Sequence, residues 1–296
     1  MPRWLNHHAG WLYSPLLLYW ISEVSTSAAH SLEIAQQYDL FQTTLDTLQK
    51  SRGFLNFGYN VARGQTYEDR QARLCLEVFK AAMIRRQDVI IDVGFGSGEQ
   101  DFLLARTYQF AHLLGFNIAS RQVRSANHRA RQEGLTHKLA FRLGEAERLH
   151  GVADDAADVV LAIECAFYFD RPRFYHRAAT VLKPGGRLVV ADITLSDWLG
   201  RMVRGRPGLR YVGTATTNRA AWEQHFHTRS VRRINAQTWT GAQITVLQIL
   251  RTLLTSTLTQ AERRAWWKLA REVQVMAVGL SMRLLRYDLL VLAKGR

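Results

Sequence analysis

The sequence is poor in cysteine and lacks a long hydrophobic segment. Its 296 residues include two cysteines, Cys75 and Cys165, and no cluster of cysteine and histidine has the spacing of a zinc site. We therefore expect neither a disulfide framework nor a metal centre, and a reducing, cytoplasmic setting is predicted. No run of 18 apolar residues is present, which disfavours a transmembrane helix. Hydrophobic residues still make up 47% of the chain, so a disordered protein is excluded.

An aromatic segment near the N-terminus comes closest to a membrane signal. Residues 11–21 (WLYSPLLLYWI) are interrupted by Ser14 and Pro15. We expect a helix rich in tryptophan and tyrosine that either packs on the protein body or lies in a membrane interface. Arg3 before the segment and small residues after it also fit a targeting peptide, so three alternatives stay open: packed helix, membrane anchor and targeting peptide.

Acidic residues are scarce in the last third of the chain. Residues 1–194 contain 22 basic and 20 acidic residues, whereas residues 195–296 contain 17 basic and 5 acidic residues. A basic module of this kind suits an anionic membrane, a nucleic acid, an acidic protein or an anionic substrate. The sign of the charge does not choose among these partners.

From residue 88 onward, short apolar runs alternate with helical segments. Strands are predicted at 89–93, 111–118, 139–143, 159–163 and 188–193, with helices at 100–107, 121–133 and 172–182 between them. Such alternation predicts a parallel sheet with helices on both faces. Outside this region we expect helices within 30–50 and at 68–83, 244–254 and 261–282, and strands at 231–235 and 287–293.

A glycine-rich loop follows the first predicted strand. Residues 91–98 read IDVGFGSG, and the glycines at 94, 96 and 98 let the backbone turn tightly and approach a ligand. The loop lacks the Gly-Lys-Ser/Thr ending of a phosphate-binding loop, and its G-x-G-x-G spacing differs from the G-x-G-x-x-G of dinucleotide sites. By itself the loop indicates a nucleotide-type cofactor.

Four motifs in order resemble the class I S-adenosylmethionine-dependent methyltransferases. They are Asp92–Gly98 (DVGFGSG), Gly144–Ala146 (GEA), Leu182–Leu188 (LKPGGRL) and the closing strand Tyr287–Ala293 (YDLLVLA). The resemblance covers roughly residues 35–195 and the last strand. It implies an α/β fold with a doubly wound, mostly parallel seven-stranded sheet, and S-adenosylmethionine as cofactor.

The resemblance also implies a division of the chain into four parts. Residues 1–60 form a helical N-terminal cap and active-site loop, and residues 61–195 form the cofactor-binding core. Residues 196–285 form a basic, helical substrate cover that includes one strand, and residues 286–296 form the closing strand.

By the same resemblance, the cofactor lies along the ends of the first four strands. The three glycines border its methionine end, Asn117 faces the ribose hydroxyls, and Glu145 sits by the adenine amine. The family commonly has an acidic residue in place of Asn117 and aspartate in place of Glu145. The implied cofactor residues are Asp92, Gly94, Gly96, Gly98, Gln100, Asn117, Ile118, Gln122, Glu145, Ala146 and Glu164.

The segment after the fourth strand carries the candidate chemistry. Residues 163–170 (IECAFYFD) leave the carboxyl edge of the sheet, where open α/β sheets bind ligands. This segment and residues 56–59 (NFGY) resemble the subgroup that methylates sterols, tocopherols, prenyl diphosphates and natural-product sugars. The predicted catalytic residues are Glu164, Tyr59 and Tyr168, and the predicted substrate contacts are Phe57, Tyr59, Phe167, Phe169 and His176.

Sugar O-methyltransferases of this type often place histidines where Phe167 and Tyr168 stand. A single carboxylate in an aromatic site suits C-methylation of an alkene, because aromatic faces stabilise a carbocation and the carboxylate removes a proton. The same site suits an acceptor that is already ionised. The alternatives are an orienting role for Glu164 and core packing for the aromatic residues.

The predicted function is methyl transfer to a hydrophobic small molecule: an isoprenoid, sterol, quinone-like or fatty-acyl acceptor. The basic, tryptophan-rich cover suggests peripheral docking on an anionic membrane or binding of an acidic carrier protein. Alternatives are O-methylation of a carboxylate, phenol or sugar, methylation of RNA or protein, and a non-catalytic cofactor-binding adaptor. Nucleic acid is disfavoured because no Asn-Pro-Pro-Tyr-type tetrapeptide or RNA-binding motif is present. Homo-oligomerisation is left open.

Overall fold

The computed structural model describes residues 27–47, 53–60, 64–205 and 209–295. The aromatic segment at residues 11–21 lies outside the described residues. Within the described ranges the helices are α1 (Ser27–Thr47), α2 (Tyr67–Ala82), α3 (Glu99–Thr107), α4 (Ser120–Gln132), α5 (Arg171–Val181), α6 (Asp197–Met202), α7 (Leu209–Val212), α8 (Ala215–Trp222), α9 (Asn235–Thr255) and α10 (Gln260–Ser281). The strands are β1 (Val89–Val93), β2 (His112–Asn117), β3 (Leu139–Leu143), β4 (Ala157–Ile163), β5 (Leu182–Leu195), β6 (Phe226–Arg233) and β7 (Leu285–Lys294).

The seven strands form one sheet in the order β3-β2-β1-β4-β5-β7-β6. The first five strands are parallel, and β7 runs antiparallel between β5 and β6. The predicted fold class, a doubly wound and mostly parallel seven-stranded sheet, is confirmed. Because the strand order reverses between β1 and β4, a crevice opens at their carboxyl ends.

The hydrophobic core lies on both faces of this sheet. One face packs against α2, α3, α4, α9 and α10, and the other packs against α5 and α8. The central strands are therefore buried from both sides, which explains their continuous apolar sequences.

The boundaries predicted at 231–235 and 244–254 were wrong. Strand β6 ends at Arg233, and α9 begins at Asn235. Strand β6 (FHTRSVRR) is the edge strand, and every residue after Phe226 is exposed. The sequence of β6 therefore lacks the apolar alternation that predicts a strand. The first turns of α9 are polar, so the apolar periodicity that predicts a helix begins only later in its sequence.

Helices α1, α9 and α10 cover the carboxyl edge of the sheet. Helix α9 lies so close to residues 53–60 that a Cβ at Gly241 would overlap the Phe57 carbonyl oxygen. Thr44 of α1 donates to Glu262 at 3.0 Å and accepts from the Trp266 indole at 3.1 Å, which ties α1 to α10. Among the described helices, none combines the length and the apolar character needed to cross a membrane.

Candidate active site

The glycine loop after β1 forms the floor of the site. Gly94, Gly96 and Gly98 all have positive φ angles, of 67°, 59° and 81°. A Cβ at Gly94 would lie 2.6 Å from that of Cys165, and one at Gly96 would lie 2.9 Å from Leu55 Cδ1. The loop therefore needs glycine both for its backbone conformation and for its contacts.

A pair of buried carboxyl groups supports this loop from below. Gln100 Nε2 donates to Asp92 Oδ2 at 2.5 Å. Burial raises the pKa of Asp92, and burial followed by the nearby charge of Asp92 raises the pKa of Asp101 well above its usual range. Their shared burial, where the end of β1 meets the first turn of α3, raises the pKa of both groups.

Asn117, at the end of β2, lies beside the glycine loop. Its Nδ2 donates to Gln122 Oε1 at 2.8 Å and to the Gly96 carbonyl at 3.4 Å. Gln122 Nε2 is buried and has no hydrogen-bond partner among the described residues. A free buried donor beside a loop whose glycines leave no room for side chains fits a cofactor with polar groups. The ribose contact of Asn117 stays a prediction.

Glu145 and its neighbours follow β3 at the same edge. The Gly144 amide donates to the Asn117 carbonyl at 3.0 Å, so the GEA motif lies next to the end of β2. Glu145 forms an ion pair with Arg148 at 2.7 Å and stays half-buried. Ala146 is buried and Ile118 is half-buried. The structure thus brings the predicted cofactor residues together along one edge, while their individual contacts stay predictions.

Glu164, the first residue after β4, is the principal candidate for catalysis. Its φ is 50°, a left-handed conformation that is strained for a residue with a Cβ. Its amide donates to the Ala191 carbonyl of β5 at 2.8 Å, which fixes the turn. Its Oε1 accepts from the Phe57 amide at 2.8 Å and from the Tyr287 hydroxyl at 2.6 Å.

The surroundings of Glu164 favour its protonated form in the unliganded protein. Burial raises the pKa of Glu164 to about 8, although the hydrogen bonds from Tyr287 and Phe57 oppose this rise. Both donors lie on Oε1, no described residue donates to Oε2, and the residue is half-buried. Oε2 is thus the oxygen that can receive a proton from a substrate.

Two tyrosines near Glu164 were missed as site residues at the sequence level. Tyr287 comes from β7, where it looked like part of an apolar closing strand. Tyr38 comes from α1, and its hydroxyl lies 3.2 Å from that of Tyr168. Burial raises the pKa of Tyr38 to about 12, with a smaller contribution from the charge of Glu164. Tyr287 stands between Arg286 and Asp288, before the apolar run of the strand begins, so no local pattern marked it as a site residue.

The predicted aromatic residues fall into two groups. Phe167 and Tyr168 form a ring pair with centroids 4.4 Å apart and follow Glu164 after two intervening residues. Tyr59 is buried below the Arg232 guanidinium, which lies 5.7 Å from its ring centroid, and among the described residues no hydrogen bond links Tyr59 to Glu164. Phe169 packs on Phe174. The catalytic role of Tyr59 and Tyr168 and the substrate contacts stay predictions.

His176 lies on an exposed turn of α5. Its ring pairs with that of His225 at a centroid distance of 5.1 Å. Both histidines line a surface cleft together with Glu145 and Arg148. The structure therefore does not bring His176 together with Glu164, and its contact with a substrate stays a prediction.

A buried ion pair supports the segment that carries Glu164. Arg171 Nη2 donates to Asp192 Oδ2 at 2.6 Å, and its Nε donates to the Tyr211 carbonyl at 2.5 Å. Both charged side chains are almost fully buried. This pair connects the start of α5 to β5 and to α7, so it fixes the turn between β4 and α5.

These features define the protein class. A sheet with β7 inserted antiparallel between β5 and β6, and a glycine loop after β1, is the fold of class I S-adenosylmethionine-dependent methyltransferases. A family model described as a methyltransferase domain matches residues 84–243. The chain therefore belongs to the methyltransferase domain family, as its motifs predicted. This membership also supports S-adenosylmethionine as the cofactor.

Two curated proteins similar to this chain are named as methyltransferases. The chain is 33% identical over 161 residues to an erythromycin 3''-O-methyltransferase of Saccharopolyspora erythraea, covering 54% of this chain and 52% of that protein. It is 33% identical over 164 residues to a 27-O-demethylrifamycin SV methyltransferase of Amycolatopsis mediterranei, covering 55% and 59%. The alignments thus span little more than half the length of these curated relatives.

A solved structure extends the likeness over most of the fold. The [4+2]-cyclase SpnF superposes with a TM-score of 0.72 at 21% identity, covering 90% of this chain and 96% of that one. At this identity the likeness shows the fold alone.

Proposed function

We propose that this protein transfers a methyl group from S-adenosylmethionine to a hydrophobic small molecule, and that Glu164 accepts the proton released by the acceptor. The observation that carries the proposal is the Glu164 carboxylate, which is anchored through Oε1 by Phe57 and Tyr287 and keeps Oε2 open. A carboxylate held in one orientation at the carboxyl edge of the sheet is suited to general base catalysis.

Methyl transfer requires an electrophilic methyl group and an acceptor for one proton. S-adenosylmethionine supplies an electrophilic methyl group on a sulfonium sulfur, which keeps the electron pair of the broken sulfur–carbon bond. The acceptor forms the new bond to the methyl carbon and loses a proton to Glu164 Oε2. A raised pKa in the unliganded protein is compatible with this role, because a positive charge close to the carboxylate favours its ionised form.

The acceptor is inferred to be apolar. Phe167 and Tyr168 follow Glu164 closely, and Tyr38 packs on Tyr168. Apolar side chains of α9 and α10 belong to the same buried cluster as Phe167. Aromatic faces stabilise a developing positive charge, which favours methylation of an alkene carbon. Methylation of a hydroxyl group is the second candidate. The names of the two curated relatives, which refer to methylation at oxygen, support it.

Mass spectrometry of reactions with isotopically labelled S-adenosylmethionine tests this proposal. The acceptors are prenyl, sterol, fatty-acyl and glycosylated macrolide compounds, and NMR of the product distinguishes a carbon-bound from an oxygen-bound methyl group. Glu164→Gln is expected to lower turnover by about 10²- to 10⁴-fold, the usual contribution of a general base. The matched control is Glu68→Gln, on the exposed face of α2.

Calorimetry with S-adenosylmethionine separates the two parts of the proposal. Glu68→Gln is expected to bind the cofactor like the unmodified protein, and comparing the affinity of Glu164→Gln with its turnover separates a cofactor contact of Glu164 from its proton-accepting role. If the unmodified protein does not bind it, the methyltransferase assignment fails. If Glu164→Gln keeps full turnover, the proton-accepting role of Glu164 is refuted, and an acceptor that is already ionised takes its place.

A further inference from the structure

The end of the α9–α10 helical hairpin exposes a cluster of large apolar and basic side chains. Leu247, Leu254 and Trp267 are 65%, 85% and 49% exposed, and Arg251 and Arg264 are exposed beside them. We propose that these five residues, the hairpin patch, dock the protein on the surface of an anionic lipid membrane.

The exposed side chains lie at one end of the hairpin. On α9, Leu247, Arg251 and Leu254 are spaced by four and three residues, so they share one helical face. Arg263 Nη1 donates to the Leu253 carbonyl at 3.0 Å, which holds the first turn of α10 against the last turn of α9. Trp267 follows Arg263 by one helical turn. The apolar residues of both helices are thus presented together around the connecting turn.

The charge around this patch is mainly positive. Helices α9 and α10 contain five basic residues and two acidic residues, Glu262 and Glu272. Glu262 is used inside the protein, because it caps α10 through Thr259 and accepts from Thr44, and Lys268 is paired with Glu33 of α1. Arg251 and Arg264 form no ion pair within the described part of the chain. Basic side chains flanking exposed leucine and tryptophan match an anionic lipid surface, where each arginine and each buried apolar side chain adds affinity.

The composition of the patch favours a membrane over a protein partner. Thr255, Thr257 and Ala261, at and beside the connecting turn, are exposed as well, so the exposed surface continues from one helix to the other. Tryptophan and leucine side chains that flank such a turn can insert among lipid headgroups while the arginines meet the charged heads.

The same hairpin also packs on the candidate active site. Gly241 of α9 touches the carbonyl of Phe57, whose amide binds Glu164. Thr245 of α9 is hydrogen-bonded to Tyr67 at 2.5 Å. Gly241 and Leu254 are 13 residues apart on α9, so docking at the hairpin end would hold the site about 20 Å from a membrane that contains hydrophobic acceptors. The delivery of hydrophobic acceptors to the site rests on the proposed function, whereas the docking of the patch on a membrane does not.

Vesicle sedimentation tests the docking. The full chain is mixed with vesicles of pure phosphatidylcholine or of phosphatidylcholine mixed with anionic phosphatidylglycerol. We expect binding to the anionic vesicles that decreases with salt. The double variant Leu254→Ser/Trp267→Ser and the double variant Arg251→Glu/Arg264→Glu are each expected to lose at least about tenfold in partition coefficient.

Matched controls separate the patch from general apolar or basic character. Met83→Asn replaces an equally exposed apolar residue, 63% exposed, and Arg131→Glu reverses an exposed arginine on α4. Both are expected to bind vesicles like the unmodified chain. Calorimetry with S-adenosylmethionine checks that each variant is folded, and its outcome is independent of vesicle binding.

Several results would overturn the proposal. One is the absence of binding to anionic vesicles, which would turn attention to an acidic carrier protein. Another is unchanged binding of both patch variants, which would assign the membrane contact to another part of the chain. A third is a change in oligomeric state of the apolar variant without a change in vesicle binding, which would make the patch an interface between two copies.

Discussion

Removing the Tyr287 hydroxyl should shift the pH dependence of methyl transfer to higher pH. This hydroxyl donates to Glu164 Oε1 at 2.6 Å. Burial raises the pKa of Glu164 and this hydrogen bond lowers it, and the net pKa is about 8. A hydrogen bond to a charged group contributes about 1.5–3 kcal/mol, which corresponds to about one to two pH units. In Tyr287→Phe we therefore expect the pKa of Glu164 to rise to about 9–10.

The pH profile of kcat/KM for S-adenosylmethionine measures this shift, because it reports groups of the free enzyme. At pH 7.5 the variant should lose roughly ten- to a hundredfold in kcat/KM, with recovery as the pH approaches 10. Tyr108→Phe is the control, since Tyr108 lies between the end of α3 and the start of β2, where its ring packs on Phe79. An unchanged profile in Tyr287→Phe, or an equal loss at every pH, would refute the reasoning.

Three further predictions concern stability and cofactor binding. Because the pKa of Glu164 is raised to about 8 in the folded state, its contribution to stability is complete below about pH 4.5 and is lost as the pH rises towards 8. Between pH 4.5 and 8 the free energy of unfolding of the unmodified protein should therefore fall by about 5 kcal/mol more than that of Glu164→Gln, as measured by urea unfolding. If the unfolding free energies of both proteins change equally with pH, the prediction is wrong. Gly241→Ala should lower the free energy of unfolding by about 1–3 kcal/mol in the same assay, since its Cβ would overlap the Phe57 carbonyl. Gly94→Ala should weaken binding of S-adenosylmethionine by at least about tenfold in calorimetry, because the new Cβ would collide with Cys165; unchanged affinity would refute this.

The sequence was informative where local pattern and local chemistry coincide. The core strands can be recognised in the sequence as mostly apolar runs, because both faces of the sheet are buried there. The glycines at 94, 96 and 98 are needed by the backbone conformation at those positions, so the loop was recognisable without any distant contact. The edge strand β6 was misplaced because six of its seven exposed residues are polar, so no apolar alternation marks it.

The amino-acid sequence by itself determined the fold class, the cofactor loop and the position of Glu164 at the end of a central strand. The tertiary structure alone decided what Glu164 can do. Its two hydrogen-bond donors come from a loop 107 residues earlier and from a strand 123 residues later, and its raised pKa arises from burial beneath this assembly. Hydrogen bonding and desolvation act between groups that are close in space, and no local sequence pattern encodes such distances.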